Sequence, residues 1–383
     1  MKDIKPLHIG KFVPPPYAGV EAHVDTLLSS LTPDIECTLV AADSPIIGMC
    51  ASGQNLPYKI LVARSFGKFA SATLSPGVIN LALDNLRAGN SNLLHLHAPN
   101  PWGDIVAMLA DKNIPVVMTW HSDIVRQKNL LKIYRHLQRS VIRRVDRIVL
   151  PTPFHATSST QLLLEEGNLS SKFEVIPMGI NFSEFDLAND SGDLYEKINE
   201  FAKDRIVVLS VGRHVGYKGY EYLLEAFSML DDEAVLVMIG VGPLSDSLKK
   251  RAQELNISKK VFFTGSVARN ELISAFKRCD IFTLPSIEKS EAFGIASAEA
   301  MYCGKPTVVC DLGNGVNYLN QDGVTSIFSR PRDSRQLANS LDLLIKDSAL
   351  RAEMGCAANK WIIENFSILK MKSEMIALYK KLI

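Results

Sequence analysis

No stretch of this chain holds the roughly 18 uninterrupted apolar residues that a membrane span requires. The opening MKDIKPLHIGKF also lacks the continuous apolar core of a secretory leader. The expected location is the cytoplasm, or at most the surface of a membrane. No two cysteines are spaced as C-x-x-C, and none has a close pair of histidines. Cys37, Cys50, Cys279, Cys303, Cys310 and Cys356 therefore indicate neither a disulfide framework nor a zinc site. Most lie in apolar runs, as small core residues of a reducing compartment do. Charge of one sign is missing as well: 42 Lys and Arg against 41 Asp and Glu leave a formal +1. That balance excludes a strongly basic nucleic-acid binder, although it permits a local basic patch. There is no low-complexity tract and no short internal repeat.

What the chain does hold is 383 residues, 47% hydrophobic and 22% charged, an ordinary soluble composition with length enough for two cores. Apolar strands read at Leu7–Phe12, Cys37–Ala41, Tyr58–Ala63, Leu93–Leu96, Val116–Trp120, Arg147–Leu150 and Phe173–Ile176, with helical stretches between most of them. From about residue 181 to 203 the pattern lapses into acidic and polar residues. It then restarts with strands at Ile206–Val211, Ala234–Ile239, Val261–Phe263, Ile281–Leu284 and Thr307–Cys310, each followed by a helix. Continuous apolar strands separated by helices call for parallel sheets covered on both faces. The expectation is an α/β protein with two doubly wound domains, residues 1–180 and 181–365, and a last helix in 366–383 returning to the first domain. Paired domains of this kind place the C-terminal ends of both sheets around one cleft, so the strand-to-helix loops are where chemistry is expected.

The most informative loop is PSIEKSEAFGIASAEAMYCGK, residues 285–305, in which Glu291 and Glu299 stand eight apart. Phe293-Gly294-Ile295 reads as a turn opening a helix over Ala296–Cys303. A helix N-terminus with free N–H groups suits a phosphate or sugar oxygen, and carboxylates on either side accept from a diol. The bland reading, two solvated glutamates, weighs about equally on spacing alone. Another loop, GRHVGYKG, puts Arg213 and Lys218 at a strand end, where two cations would serve a diphosphate or merely be solvated. The turn Gly240-Val241-Gly242 lacks the third glycine of a dinucleotide fingerprint, which disfavours a nicotinamide enzyme. In the first half Gly19 opens a helix after a loop, and His121 ends a strand, as a proton shuttle, an anion donor or a structural imidazole. His95 and His97 read as structural, and metal binding by the three has no supporting spacing.

These elements together resemble the retaining glycosyltransferases of family 4, which have the GT-B fold and use nucleotide-sugar donors. The matching segments are AGVE around Gly19, the strand-end His121, VGRHVGYKG, IGVGPL, Gly265 with Glu271-Leu272, and EAFGIASAE. They span nearly the whole chain. The run EAFGI…EAM…GKP, followed by DLGNG and NQDGVTS, is similar to bacterial mannosyltransferases of O-antigen and surface polysaccharide. One departure is Ala18, where a second glycine is common. The resemblance implies an acceptor-binding first domain and a donor-binding second one. It places Glu299 on ribose hydroxyls, and Glu291 on the transferred sugar with the N–H groups of Phe293, Gly294 and Ile295. Arg213 and Lys218 fall on the diphosphate, His121 beside sugar and acceptor, and Gly19 near a phosphate or the acceptor. It implies no cofactor and no metal, with which the lack of a DxD pair agrees. The preferred donor is GDP-mannose, and the implied acceptor is a saccharide on polyprenyl diphosphate.

Between Arg126 and Arg147 stand eight basic residues and one acid, Asp146. Lys128, Lys132, Arg135, Arg139 and Arg143 share one helical face, and Leu130, Ile133, Leu137, Val141 and Val145 another. Such a helix packs its apolar side on a core, or meets an anionic membrane at the cytoplasmic face of the inner membrane. The two readings weigh equally. Three activities stay open at this level: a glycosyltransferase with a GDP- or UDP-sugar, a nucleotide-sugar epimerase of the same two-domain plan, and a non-catalytic binder of sugar nucleotides.

Overall fold

Apolar strands that do not alternate need cover on both faces, and both sheets of the protein have it. The structure, a computed structural model, describes residues 3–13, 19–43, 56–69, 72–124, 128–163, 169–187 and 191–383. Its contacts divide the chain into one unit of Met1–Ile180 with Phe366–Ile383, and a second of Asn181–Asn365.

The first unit has strands β1 Pro6–Phe12, β2 Thr38–Ala42, β3 Lys59–Ala63, β6 Leu93–Ala98, β7 Val116–Trp120, β8 Arg147–Leu150 and β9 Phe173–Val175, plus a two-residue hairpin, β4 Lys68–Phe69 with β5 Ala72–Thr73. The sheet runs β3-β2-β1-β6-β7-β8-β9, every pair parallel. Pleating sorts β6 between two cores. Leu94, Leu96 and Ala98 join Leu7, Ile9 and Val106 on one face. Leu93 joins Val24, Leu27, Leu28 and Leu31 of the Gly19–Leu31 helix, and Met371, Met375 and Tyr379 of the Ile368–Lys380 helix, on the other. Each fully buried leucine there contributes about 1.5–3 kcal/mol over its exposed state. His95 and His97 follow the pleat onto this second face, where His95 meets Tyr379.

The second unit has β10 Ile206–Val211, β11 Ala234–Ile239, β12 Val261–Gly265, β13 Ile281–Leu284, β14 Thr307–Cys310 and β15 Ser326–Ser329, in the parallel order β12-β11-β10-β13-β14-β15. Counted from β10, that is the order 3-2-1-4-5-6, which reverses between β10 and β13. Ligands of open α/β sheets bind at the carboxyl ends of the strands flanking such a reversal.

Three differences from the sequence reading have local causes. Residues 181–203, read as a polar lapse, carry the helices Ser183–Leu187 and Asp193–Ala202. Their acidic exterior hides a narrow stripe, since Leu194, Ile198 and Ala202 are buried four apart. The edge strand β15 was not expected, because SIFS has only two apolar residues and takes its place by pairing with β14. β6 runs two residues past Leu96 and takes His97 into the sheet. Cys37, Cys279 and Cys310 are buried free thiols, Cys303 is half-buried and Cys356 exposed, whereas Cys50 lies outside the described residues.

The basic stretch forms the helix Lys128–Arg144, and Arg126 lies outside the described residues. Val141, Ile142 and Val145 are buried in the first unit's core. Arg144 donates to the Ile114 carbonyl at 2.8 Å, while Lys132 and Arg143 face solvent. No helix among the described residues is long and apolar enough to cross a membrane.

Candidate active site

The loops after β10 and β13 meet at the reversal of strand order. Gly219, in the left-handed region at φ 66°, lets the first loop close down: a Cβ there would lie 2.2 Å from the Pro285 carbonyl oxygen. Ile287 N–H donates to the Tyr217 carbonyl at 2.8 Å and ties the second loop to the first. This brings Lys218 Nζ to 2.5 Å from Glu291 Oε2, with both side chains nearly buried at 11% and 12% exposure. The buried Ser286 hydroxyl donates to the same oxygen at 2.9 Å, and the Asn314 amide donates to the Glu291 carbonyl at 2.6 Å. Oε1 of Glu291 makes no hydrogen bond or ion pair to a described residue. The pair is thus a fixed cation with a half-engaged acceptor, at the place where the fold presents ligands.

Arg213, in the loop just past the end of β10, is exposed and has no ion pair among the described residues. The structure therefore pairs Lys218 with Glu291, whereas Arg213 makes no ion pair with either. Within the first of these loops His214 is buried, its Nδ1 2.9 Å from Ser245 Oγ and its Nε2 without a partner among the described residues. Burial holds this imidazole below its usual pKa, with Lys249 acting in the same direction.

Phe293 is buried, and Gly294 turns the chain at φ 78° into the helix Ile295–Tyr302. A Cβ on Gly294 would lie 2.9 Å from Leu284 Cδ2, so glycine is favoured here by both backbone and space. The N–H groups of Gly294 and Ile295 are among those a helix start leaves without intrahelical partners. Glu299 lies inside this helix, 7% exposed, with Oε1 2.6 Å from Arg269 Nη1. Arg269 also binds Glu184 at 2.9 Å and stacks over Phe185 at 5.2 Å. Burial pushes the Glu299 carboxyl above its usual pKa, against the pull of the Arg269 guanidinium.

Sequence reasoning missed Arg269, Ser286 and Asn314. Arg269 lies in the segment after Gly265 and Asn314 in DLGNG, both already singled out. Nothing local showed that either would reach a glutamate.

In the first unit Gly19 is the first residue of its helix, while the loop before it, residues 14–18 with Ala18, lies outside the described residues. His121 follows β7 and accepts or donates through Nε2 to His97 Nδ1 at 3.2 Å.

Comparison with known proteins agrees with this architecture. Residues 193–361 match the model of the glycosyl transferases group 1, and residues 17–184 that of Glycosyltransferase Family 4. A solved Anabaena protein, Alr3699/HepE in complex with UDP, shares the fold at a TM-score of 0.77 and 18% identity, over 99% of this chain and 100% of that one. Fold and family models together define a glycosyltransferase of the GT-B class. The chain is 30% identical to O-antigen chain mannosyltransferase C of Escherichia coli over 76% of each protein. It is 31% identical to the D-rhamnosyltransferase WbpZ of Pseudomonas aeruginosa, over 70% of this chain and 68% of that one. It belongs to family 4 of the GT-B-fold glycosyltransferases.

Proposed function

We propose that this chain is a retaining, metal-independent hexosyltransferase that moves mannose from GDP-mannose to a lipid-linked saccharide in O-antigen or related surface-polysaccharide assembly. The observation that carries the reading is the Lys218–Glu291 pair at the strand-order reversal, with one carboxylate oxygen unengaged. The mannosyltransferase among the relatives supports the choice of sugar. In this reading the second unit binds the donor. Glu291 accepts from sugar hydroxyls, and Glu299 accepts from the ribose diol. The free N–H groups at the start of the Ile295–Tyr302 helix face donor oxygens, and Lys218 and the exposed Arg213 meet the diphosphate. Fixed cations stabilise the charge that develops on a departing diphosphate without reorganising, which is the part a metal plays elsewhere. The bond from the anomeric carbon to the diphosphate oxygen breaks, and the acceptor oxygen bonds to that carbon from the same face. The acceptor proton passes to the departing diphosphate oxygen. The first unit, with Gly19 and His121, serves the acceptor.

A thermal-shift panel of nucleotide sugars, followed by transfer assays with labelled donors in EDTA, tests this. GDP-mannose is expected to stabilise the protein, and label to reach a lipid-linked acceptor with the chelator present. The UDP in the Anabaena neighbour favours a second reading, a UDP-sugar donor. Stabilisation by UDP-sugars alone would establish it. Conversion of the donor to an epimer without acceptor would sink the transferase reading, and loss of transfer in EDTA would sink metal independence.

The exposed Lys132 and Arg143 of the Lys128–Arg144 helix support a peripheral contact of this unit with anionic lipid. Sedimentation with phosphatidylglycerol vesicles should be strong at low salt and weak at high salt. Binding indifferent to lipid charge and salt counts against the contact.

A further inference from the structure

Five of the chain's histidines crowd the face of the first sheet that the Ile368–Lys380 helix covers. His8 of β1 stands beside His95 of β6 in register, and His97 lies beside Thr119 of β7. Their ring nitrogens form one row. Thr119 Oγ1 is 2.8 Å from His95 Nε2, and His95 Nδ1 is 2.5 Å from the Tyr379 hydroxyl. That hydroxyl is 3.4 Å from His8 Nε2, His8 Nδ1 is 3.1 Å from His97 Nε2, and His97 Nδ1 is 3.2 Å from His121 Nε2. Thr119, His8, His95, His97 and Tyr379 are all buried.

A neutral imidazole has one donor and one acceptor nitrogen. Along such a row every proton must therefore point the same way, since a reversal would set two N–H groups or two lone pairs against each other. Two arrangements satisfy the inner bonds, and Thr119 separates them. Its hydroxyl has no other hydrogen bond to a described residue. If it accepts from His95, its own proton is buried without an acceptor, at a cost of about 1–3 kcal/mol. If it donates, every group in the row is paired, and His95, His8, His97 and His121 each carry their proton on Nδ1.

We propose that Thr119, His95, Tyr379, His8 and His97 are positioning residues, a buried row that holds His121 as its Nδ1–H tautomer, a fixed neutral donor to a ligand oxygen. His121 Nδ1 has no partner among the described residues and is not among the enclosed ring nitrogens, and the residue as a whole is half-buried, so the N–H is available to a ligand. Beside it His23 of the Gly19–Leu31 helix has both ring nitrogens unpartnered, its ring centre 5.1 Å away.

The environment keeps the row neutral. Burial pushes His8 down to about 3, and holds His95, His97 and His121 well below the usual imidazole value, with mutual repulsion adding to it. The groups facing it from the packed elements are His23, His155 of the Phe154–Ser158 helix, and Tyr379. The nearby Asp123 carboxylate is engaged by Trp120, Ser159 and Thr160. His8, His95 and His97 also offer three nitrogens within 4.8 Å of one another, a spacing a divalent cation could adopt. Because those nitrogens are already paired along the row, the hydrogen-bonded arrangement is the one the geometry points to.

Two-bond proton–nitrogen spectra of the full chain labelled with ¹⁵N-histidine test the proposal without any substrate. His8, His95, His97 and His121 are expected to show the Nδ1–H pattern, unchanged between about pH 6.5 and pH 8. Tyr379→Phe keeps the ring and cuts the row. The Nε2–H form, which free imidazole prefers, should then gain at His121, whereas Thr119→Ser, which keeps the hydroxyl, should preserve the wild-type pattern. An Nε2–H His121 in the wild type, mixed tautomers along the row, or identical His121 spectra in Tyr379→Phe would each overturn the proposal. So would one equivalent of zinc found by elemental analysis. Should Tyr379→Phe fail to fold, the wild-type spectrum decides alone.

Discussion

Lys218→Ala is expected to lower transfer turnover on the order of 10²–10³-fold, the loss typical of removing one group that stabilises transition-state charge. Glu291→Ala should match it. The structure adds an expectation about stability, because the two groups hold each other at 2.5 Å with little solvent contact. Removing one partner of a buried pair strands the other, at a cost of about 3–5 kcal/mol, and the residual exposure here favours the lower figure. For a unit of this size about 3 kcal/mol lowers the melting temperature by roughly 6–12 °C. A double variant, Lys218→Met with Glu291→Gln, removes both charges at similar volume. It should recover most of the lost stability and none of the activity. Full turnover in either single variant defeats the site assignment. Return of activity in the double variant would mean that the single losses came from unfolding.

Mild acid should act on the first unit with comparable force. His8, His23, His95 and His97 are at most 8% exposed, and burial holds each below its usual pKa, His8 at about 3 and His23 at about 4. In the unfolded chain the same imidazoles titrate near their ordinary value of about 6.5. As the pH falls below that value the unfolded state takes up protons that the folded state refuses. Stability is complete above the window and is lost progressively down to the folded values. At about pH 5.5 His8 and His23, whose folded values lie more than a unit lower, cost roughly 1.4 kcal/mol each, about 3 kcal/mol together, and His95 and His97 add in the same direction. Against a typical domain stability of about 5–15 kcal/mol, that is a large share of what keeps the unit folded. Urea titrations followed by tryptophan fluorescence, with Trp120 buried in this unit, should show the midpoint dropping sharply from neutral pH to pH near 5.5. Equal midpoints would mean that the imidazoles are protonated in the folded state.

How much of this was legible in the sequence differs by element. Val116–Trp120, Ile206–Val211, Ala234–Ile239, Ile281–Leu284 and Thr307–Cys310 are strands at the residues their apolar runs mark. A buried parallel strand shows itself by composition and by the turn that follows. The same holds for the glycine at 294 and the helix behind it. The stripe of Leu194, Ile198 and Ala202 was masked by acidic neighbours, and the edge strand β15 carries too little apolar character to stand out. In the site, the strand-end position of Lys218 and the loop around Glu291 were readable. Their contact, and the hold of Arg269 on Glu299, were not. The histidines at 95 and 97 looked merely structural, since their row is completed by His8 and by Tyr379, whose partner His95 lies 284 residues away in the chain.

The order of amino acids by itself determined the parallel α/β architecture and the loops that carry charge, because strand burial, turn residues and helix starts are local properties. Only the tertiary structure decided the partners: Lys218 with Glu291, Arg269 with Glu299, Tyr379 with His8 and His95. A hydrogen bond between distant residues depends on strand order and register, and these are set by the packing of the whole unit rather than by any segment of it.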